Sequence, residues 1–234
     1  MNLQDPTQSS GTAAATPRSS TRRPWTAPSA MGYGALVFSG VSLLAFSVWA
    51  FGGSWFRNRG GEPAMYAAIA LVFLGLSGGA LSPLILGPHR IRRFYALFLP
   101  AFLVYAVIWS GFWFWLKFGW GEWLGAAAGC LAFTAVGAWK FQAWDRYWKV
   151  SAVFFALHTL GYFAGGWSMA QLISVAKQAP VASLDKRQWI TLAQLSWGLA
   201  YGLGLGAAMG YLTHEFQRTL ESSESKSFPI HPQA

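Results

Sequence analysis

The sequence predicts an all-α protein: a polytopic bundle of about six transmembrane helices with both termini on the cytoplasmic side. Three observations predict it. Of 234 residues, 54% are hydrophobic and only 11% charged, whereas a soluble domain carries about a quarter charged residues. Six apolar runs follow one another, each near the roughly 20 residues a helix needs to cross about 30 Å of hydrocarbon. No Lys, Arg, Asp or Glu stands inside any run. Surface that apolar must face lipid, and in lipid a helix satisfies its own backbone polar groups. A transmembrane barrel would show short alternating segments instead.

Residues 1–30 are rich in Ser, Thr, Ala, Pro and Gln. Such a stretch buries too little apolar surface to offset its ordering entropy, so it reads as a disordered cytoplasmic tail. Residues 31–213 form the six-helix domain. Its runs extend from about Tyr33 to Phe51, Ala64 to Leu86, Tyr95 to Leu116, Trp123 to Trp139, Val150 to Val175 and Trp189 to Leu212. The fourth is the shortest and has polar flanks to borrow from on either side. Residues 214–234 read as a cytoplasmic C-terminal tail.

Basic residues orient the bundle. With the N-terminus inside, the cytoplasmic side holds Arg18, Arg22, Arg23, Arg90, Arg92, Arg93, Lys140, Arg146, Lys149, Arg218 and Lys226. The opposite side holds Arg57, Arg59, Lys117, Lys177, Lys186 and Arg187. The excess predicts both termini in the cytoplasm; the expected host is the cell (plasma) membrane. The net charge of +9 sits in short loops, where topology and anionic headgroups account for it; nucleic acid is not an expected partner. The 14 Trp cluster near run ends and read as aromatic belts. A sharper alternative is that Phe112 to Trp115, with Trp120, take a flat or cationic ligand.

The lone Cys130 excludes an intramolecular disulfide and a multi-cysteine metal site. Run six carries Gly198, Gly202, Gly206 and Gly210, four apart, which places them on one helical face. This glycine zipper predicts close helix contact, within the chain or with a second copy. Gln194 lies one turn earlier on the stripe. Run five offers Ser151, His158, Gly161, Gly165 and Ser168 on one face; run two offers Ala68, Gly75, Gly79 and Ser82.

His158 is the one ionisable group deep in a span. It lies about 12 Å below the cytoplasmic interface at 1.5 Å per residue. A buried imidazole there either relays protons, ligates or binds a substrate, or it is a neutral side chain bonded to a neighbouring helix. Haem does not fit the spacing, because His89 and His214 both stand at run ends well above His158. No metal site and no cofactor is implied. The cytoplasmic loops gather His89, Arg90, Arg92, Arg93 and Arg146, a rim that suits phosphate headgroups or simply sets topology.

His214-Glu215 lacks the second histidine of a zinc-protease motif, since Gln217 and Arg218 stand there. No nucleophile elbow or phosphate-binding glycine loop is present. The expected function is therefore a non-enzymatic membrane module: a subunit, assembly factor or lipid-contacting partner, alone or as a homo-oligomer. One alternative is a small carrier or channel for a neutral or apolar solute, lined by His158, Gln171, Gln194 and Tyr201. Another is a lipid-modifying enzyme that uses His89, His158 or His214.

Overall fold

The computed structural model describes residues 25–116, 119–178 and 184–227, with side chains to Arg218. Six α-helices run in chain order: α1 Ala27–Arg57, α2 Gly61–Leu81, α3 Arg90–Leu116, α4 Trp120–Phe141, α5 Tyr147–Gln178 and α6 Lys186–Ser227. Short 3-10 turns follow α2 at Ser82–Leu84 and precede α5 at Trp144–Arg146. There is no strand among the described residues.

Five of these segments are long and apolar enough to cross a membrane. The sixth, α6, is less apolar over its length because both of its ends are largely polar, from Lys186 to Gln188 and from Thr213 to Ser227. It lies packed along both α1 and α5, so it runs through the same layer. The chain is an integral membrane protein built as a helical bundle. Neighbours in sequence are neighbours in space, and α6 closes the ring against α1. Large apolar side chains line the outside, among them Leu36, Leu71, Val107 and Leu160, while Phe38, Phe94, Phe98, Phe133 and Phe154 fill the inside.

Two boundaries differ from the hydropathy reading. Helix α1 begins before run one does: the Thr26 side chain accepts a hydrogen bond from the Ser29 backbone N–H, and Pro28 occupies the first turn. That pairing of cap and proline starts a helix, and Ala30 is already buried. Residues 27–30 therefore belong to the bundle; residues 1–24 lie outside the described residues. At the other end α6 does not stop at residue 213. Its 42 residues would measure about 63 Å at 1.5 Å per residue, twice the hydrocarbon thickness. The helix thus continues beyond the bilayer, and Phe216 and Gln217 remain buried against neighbouring elements.

What permits the close approach of α6 to its neighbours is the absence of side chains. Gly206 and Gly210 lie against the Gly34 and Ala30 carbonyls of α1, and a Cβ at Gly202 would stand 2.6 Å from Ser39 Cα. On the α5 side, a Cβ at Gly204 would stand 2.8 Å from Gly161 Cα. The Ser42 hydroxyl crosses the first contact and donates to the Gly198 carbonyl at 2.6 Å. Helix α2 uses its glycines differently. A Cβ at Gly75 or Gly79 would meet nothing within 4 Å, whereas Gly78 lies under the Tyr95 ring of α3. The small-residue face expected on run two through Gly75 and Gly79 points outward, because α2 meets α1 through Phe73 and Ala80 and α3 through Gly78. Pro100 sits within α3 without ending it.

The loop-side end near Arg146 is held by charge and amide bonds. Glu215 is buried and pairs with Arg146 at 2.9 Å, Lys149 at 3.3 Å and Arg218 at 3.6 Å. Burial by itself pushes the Glu215 carboxyl up. Hydrogen bonds and charge from Lys149 and Arg146 outweigh it and hold the group below its ordinary range. Gln217 clips the turn after α2: its Oε1 accepts from the Leu86 N–H, and its Nε2 donates to the Leu84 carbonyl.

Candidate functional site

Two places concentrate polar atoms where a helical bundle would ordinarily be apolar. The first lies mid-bundle, around His158. The imidazole is fully buried, and its Nε2 shares a 2.7 Å hydrogen bond with the Tyr105 hydroxyl of α3. Tyr201 of α6 presents its ring edge-on at 5.7 Å between centroids, and Tyr162, one turn on along α5, lies near-parallel at 6.3 Å. The Tyr105 and Tyr201 hydroxyls also interact. Trp109 and Trp197 then pack on Tyr162 from α3 and α6.

This cluster joins three helices whose backbones do not all touch. Helix α3 makes its close backbone contacts with α4 and reaches α5 and α6 through aromatic side chains. Three polar atoms within the cluster have no partner among the described residues: His158 Nδ1, Trp109 Nε1 and Trp197 Nε1. Whichever tautomer His158 adopts, one ring nitrogen meets Tyr105 and the other is left unbonded, as a donor or as an acceptor. Unsatisfied polar atoms in an apolar interior cost about 1–3 kcal/mol each. Three around one tyrosine mark a place that suits water or a small polar molecule.

The second place is the opposite end from Glu215, beside the first turns of α6. Two adjoining clefts of about 480 and 490 Å³ open there, and Trp49, Lys186, Ile190 and Gln194 line both. The first adds Arg57 and Arg187; the second adds Lys177 with Met169 and Ile173 of α5. From this mouth, Gln194, Trp197 and Tyr201 descend one face of α6 toward His158, the Trp49 ring resting edge-on against Trp197.

No protein-family model matches the chain, and no curated protein or solved structure does either. Function has to be argued from these two places.

Of the residues expected to line a solute path, His158 and Tyr201 come together. Gln194 stands at the mouth, half-buried, and Gln171 faces outward on α5. His89, His158 and His214 occupy three separate environments: His89 an exposed turn, His214 a small recess beside Trp25 and Gln217. Among the described residues no three His, Cys, Asp or Glu gather as a metal would need. In the basic rim, Arg146 is committed to Glu215, and Arg93 donates to the Leu86 carbonyl at 2.6 Å. Arg90 reaches the Gly87 carbonyl at 3.4 Å, and Arg92 is exposed. Trp113 stacks flat on Trp109 at 5.6 Å, while Phe114, Trp115 and Trp120 point outward as a belt would.

Tyr105, Trp109, Tyr162 and Trp197 are the site residues that sequence reasoning passed over. A signal for them exists. Tyr105 with Trp109, His158 with Tyr162, and Trp197 with Tyr201 are each four apart. Three spans thus present a pair of polar-tipped aromatic rings on one face. Such pairs at span centres, away from the interfaces, are what a search around a deep histidine should seek.

Proposed function

We propose that this chain is a non-enzymatic membrane module, a subunit, assembly factor or lipid-contacting partner, packed through a glycine zipper along α6. The observation that carries this reading is that the glycine faces of α6 are occupied from within the chain, by α1 and α5. The bundle needs no second copy to cover them. What it offers outward is a broad surface of large apolar and aromatic side chains, Leu36, Leu71, Val107, Phe114 and Trp167 among them, suited to lipid or to another membrane protein. On the count of basic residues, the reading puts both termini in the cytoplasm, and it takes the cell membrane as host. The test is to isolate the full chain from its own membrane in mild detergent and identify what accompanies it by native mass spectrometry. A stoichiometric membrane protein or a retained lipid is expected. A bare chain that turns over a lipid substrate would overturn the reading.

A second reading, a carrier for a neutral solute, is favoured by the line Gln194, Trp197, Tyr201 leading from the clefts to the unsatisfied Nδ1 of His158. Its mark would be solute flux in proteoliposomes that disappears in His158→Ala while the variant still reconstitutes.

A further inference from the structure

Both ends of the bundle carry cations, and among the described residues only one end supplies a carboxylate that pairs with any of them. The ion pairs among the described residues all gather around Arg146 and Glu215. At the other end, Arg57, Lys186 and Arg187 form no ion pair among the described residues, and no carboxylate lines either cleft. These side chains are exposed, and they stand where α1 ends and α6 begins. Those are span ends, at the depth of lipid headgroups. Three uncompensated cations on that side also run against the usual placement of basic residues, which topology would explain only on the cytoplasmic face. Topology therefore does not account for them.

The shape of the clefts narrows the occupant. Below the cations the first cleft is walled by Phe51 and Ile190, with Trp49 and the Gln194 amide beyond them. The second continues past Ile190 along Met169 and Ile173 of α5. A ligand here meets positive charge at one end, the apolar side chains of Ile190, Phe51 and Ile173 next, and Trp49 with the Gln194 amide at the far end. Charge at the rim with an apolar wall directly below it suits an anionic headgroup and the upper methylenes of its acyl chains. The arrangement also straddles α6, since the two clefts share Lys186, Ile190, Gln194 and Trp49. Two chains of one lipid can lie on either side of the helix.

We propose that the paired clefts around the first turns of α6 bind one anionic phospholipid, its phosphate held by Arg57, Lys186 and Arg187 and its chains laid along Ile190 and Trp49. The proposal deepens the lipid-contacting reading and gives it a site. A guanidinium grips phosphate oxygens in a fork, and an ammonium adds a point charge. A zwitterionic lipid brings its own cation and gains less from the same three groups. Inorganic phosphate carries the charge without the chains, so it does not compete for the apolar wall.

The test uses the full chain purified in neutral detergent and titrated separately with phosphatidylglycerol and phosphatidylcholine, bound lipid being counted by native mass spectrometry. The wild type is expected to retain one phosphatidylglycerol about tenfold better than phosphatidylcholine, and the combined Arg57→Gln, Lys186→Gln, Arg187→Gln variant to lose that preference. Arg57→Lys with Arg187→Lys keeps the charge and should keep most of the binding. Lys140→Gln, an exposed cation at the other end, should change nothing. The altered side chains are exposed, and the thermal midpoint of each variant confirms an intact bundle. Equal retention by the wild type and the triple glutamine variant overturns this site while leaving a lipid-contacting module in place. Equal retention of the two lipids, or release by excess inorganic phosphate, overturns the anionic lipid as occupant.

Discussion

The two halves of α6 meet the rest of the molecule in opposite ways. From Leu205 to Gln217 only Ala207 and His214 are partly exposed. Glycines there lie on the α1 backbone, Gln217 clips the turn after α2, and Glu215 gathers three cations. From Lys186 to Leu192 most residues are exposed, and the buried Trp189 Nε1 has no partner among the described residues. One helix thus serves as anchor at its carboxyl half and as a rim at its amino end. The difference teaches that a cation's role in a membrane protein is not set by its residue type or its depth. It is set by whether a carboxylate has been placed to meet it.

The largest effect should come from breaking the anchor. In Gly206→Leu the new side chain would run into the Gly34 carbonyl and the Phe38 side chain of α1. Overpacking a tight contact costs about 1–3 kcal/mol where side chains can yield, and more where the obstacle is backbone. We expect loss of a monodisperse species in detergent, or a thermal midpoint far below that of the wild type. The same substitution at Gly79, where an added Cβ would meet nothing within 4 Å, should leave the protein folded. Similar behaviour of the two variants would mean that α6 and α1 do not approach as closely as described.

The next effect is electrostatic and belongs to the same half. Glu215→Gln removes the charge that three cations share, and hydrogen bonds to charged groups are worth about 1.5–3 kcal/mol. A drop of that order in stability is expected. Its pH dependence has a definite sign. The carboxyl is held below the ordinary 4.5 of a glutamate when folded, so between the two values the unfolded chain binds more protons than the folded one. The stabilisation is complete above that ordinary value and is lost as pH falls through the folded one. Thermal midpoints of the wild type should therefore decline on acidification in that range, and those of Glu215→Gln should decline less. Parallel curves would show that Glu215 does not carry the acid response.

How far the sequence disclosed all this differs between the two halves. Four glycines spaced by four announced a close contact on run six, because that periodicity is a property of the helix itself. Which helix lay opposite was not legible, since Gly34 and Ala30 are far away in sequence. On run two the same reasoning chose Gly75 and Gly79 and passed over Gly78. Small residues on a lipid-facing surface and in a helix contact look alike until the neighbour, here Tyr95, is known. His158 stood out as the lone deep ionisable group, but its partner Tyr105 is 53 residues away. Hydropathy also hid the ends: an apolar window stops at residue 212 while the helical hydrogen bonding of α6 continues through Ser227. Cations gave the least away, because the count of Lys and Arg treats Arg146 and Arg187 as equals.

The smallest effect is the one that separates them. Arg187→Gln and Lys186→Gln alter exposed side chains that form no ion pair among the described residues. Surface substitutions away from packing and charge partners usually stay within about 0.5 kcal/mol. In lipid-free detergent we therefore expect the thermal midpoint of this double variant to match the wild type, while Arg146→Gln, which takes a cation from buried Glu215, lowers it. The contrast is informative because both changes delete positive charge near a helix end. A double variant as unstable as Arg146→Gln would mean that the amino end of α6 is held by its cations after all. In that case the two halves of the helix would be anchored alike.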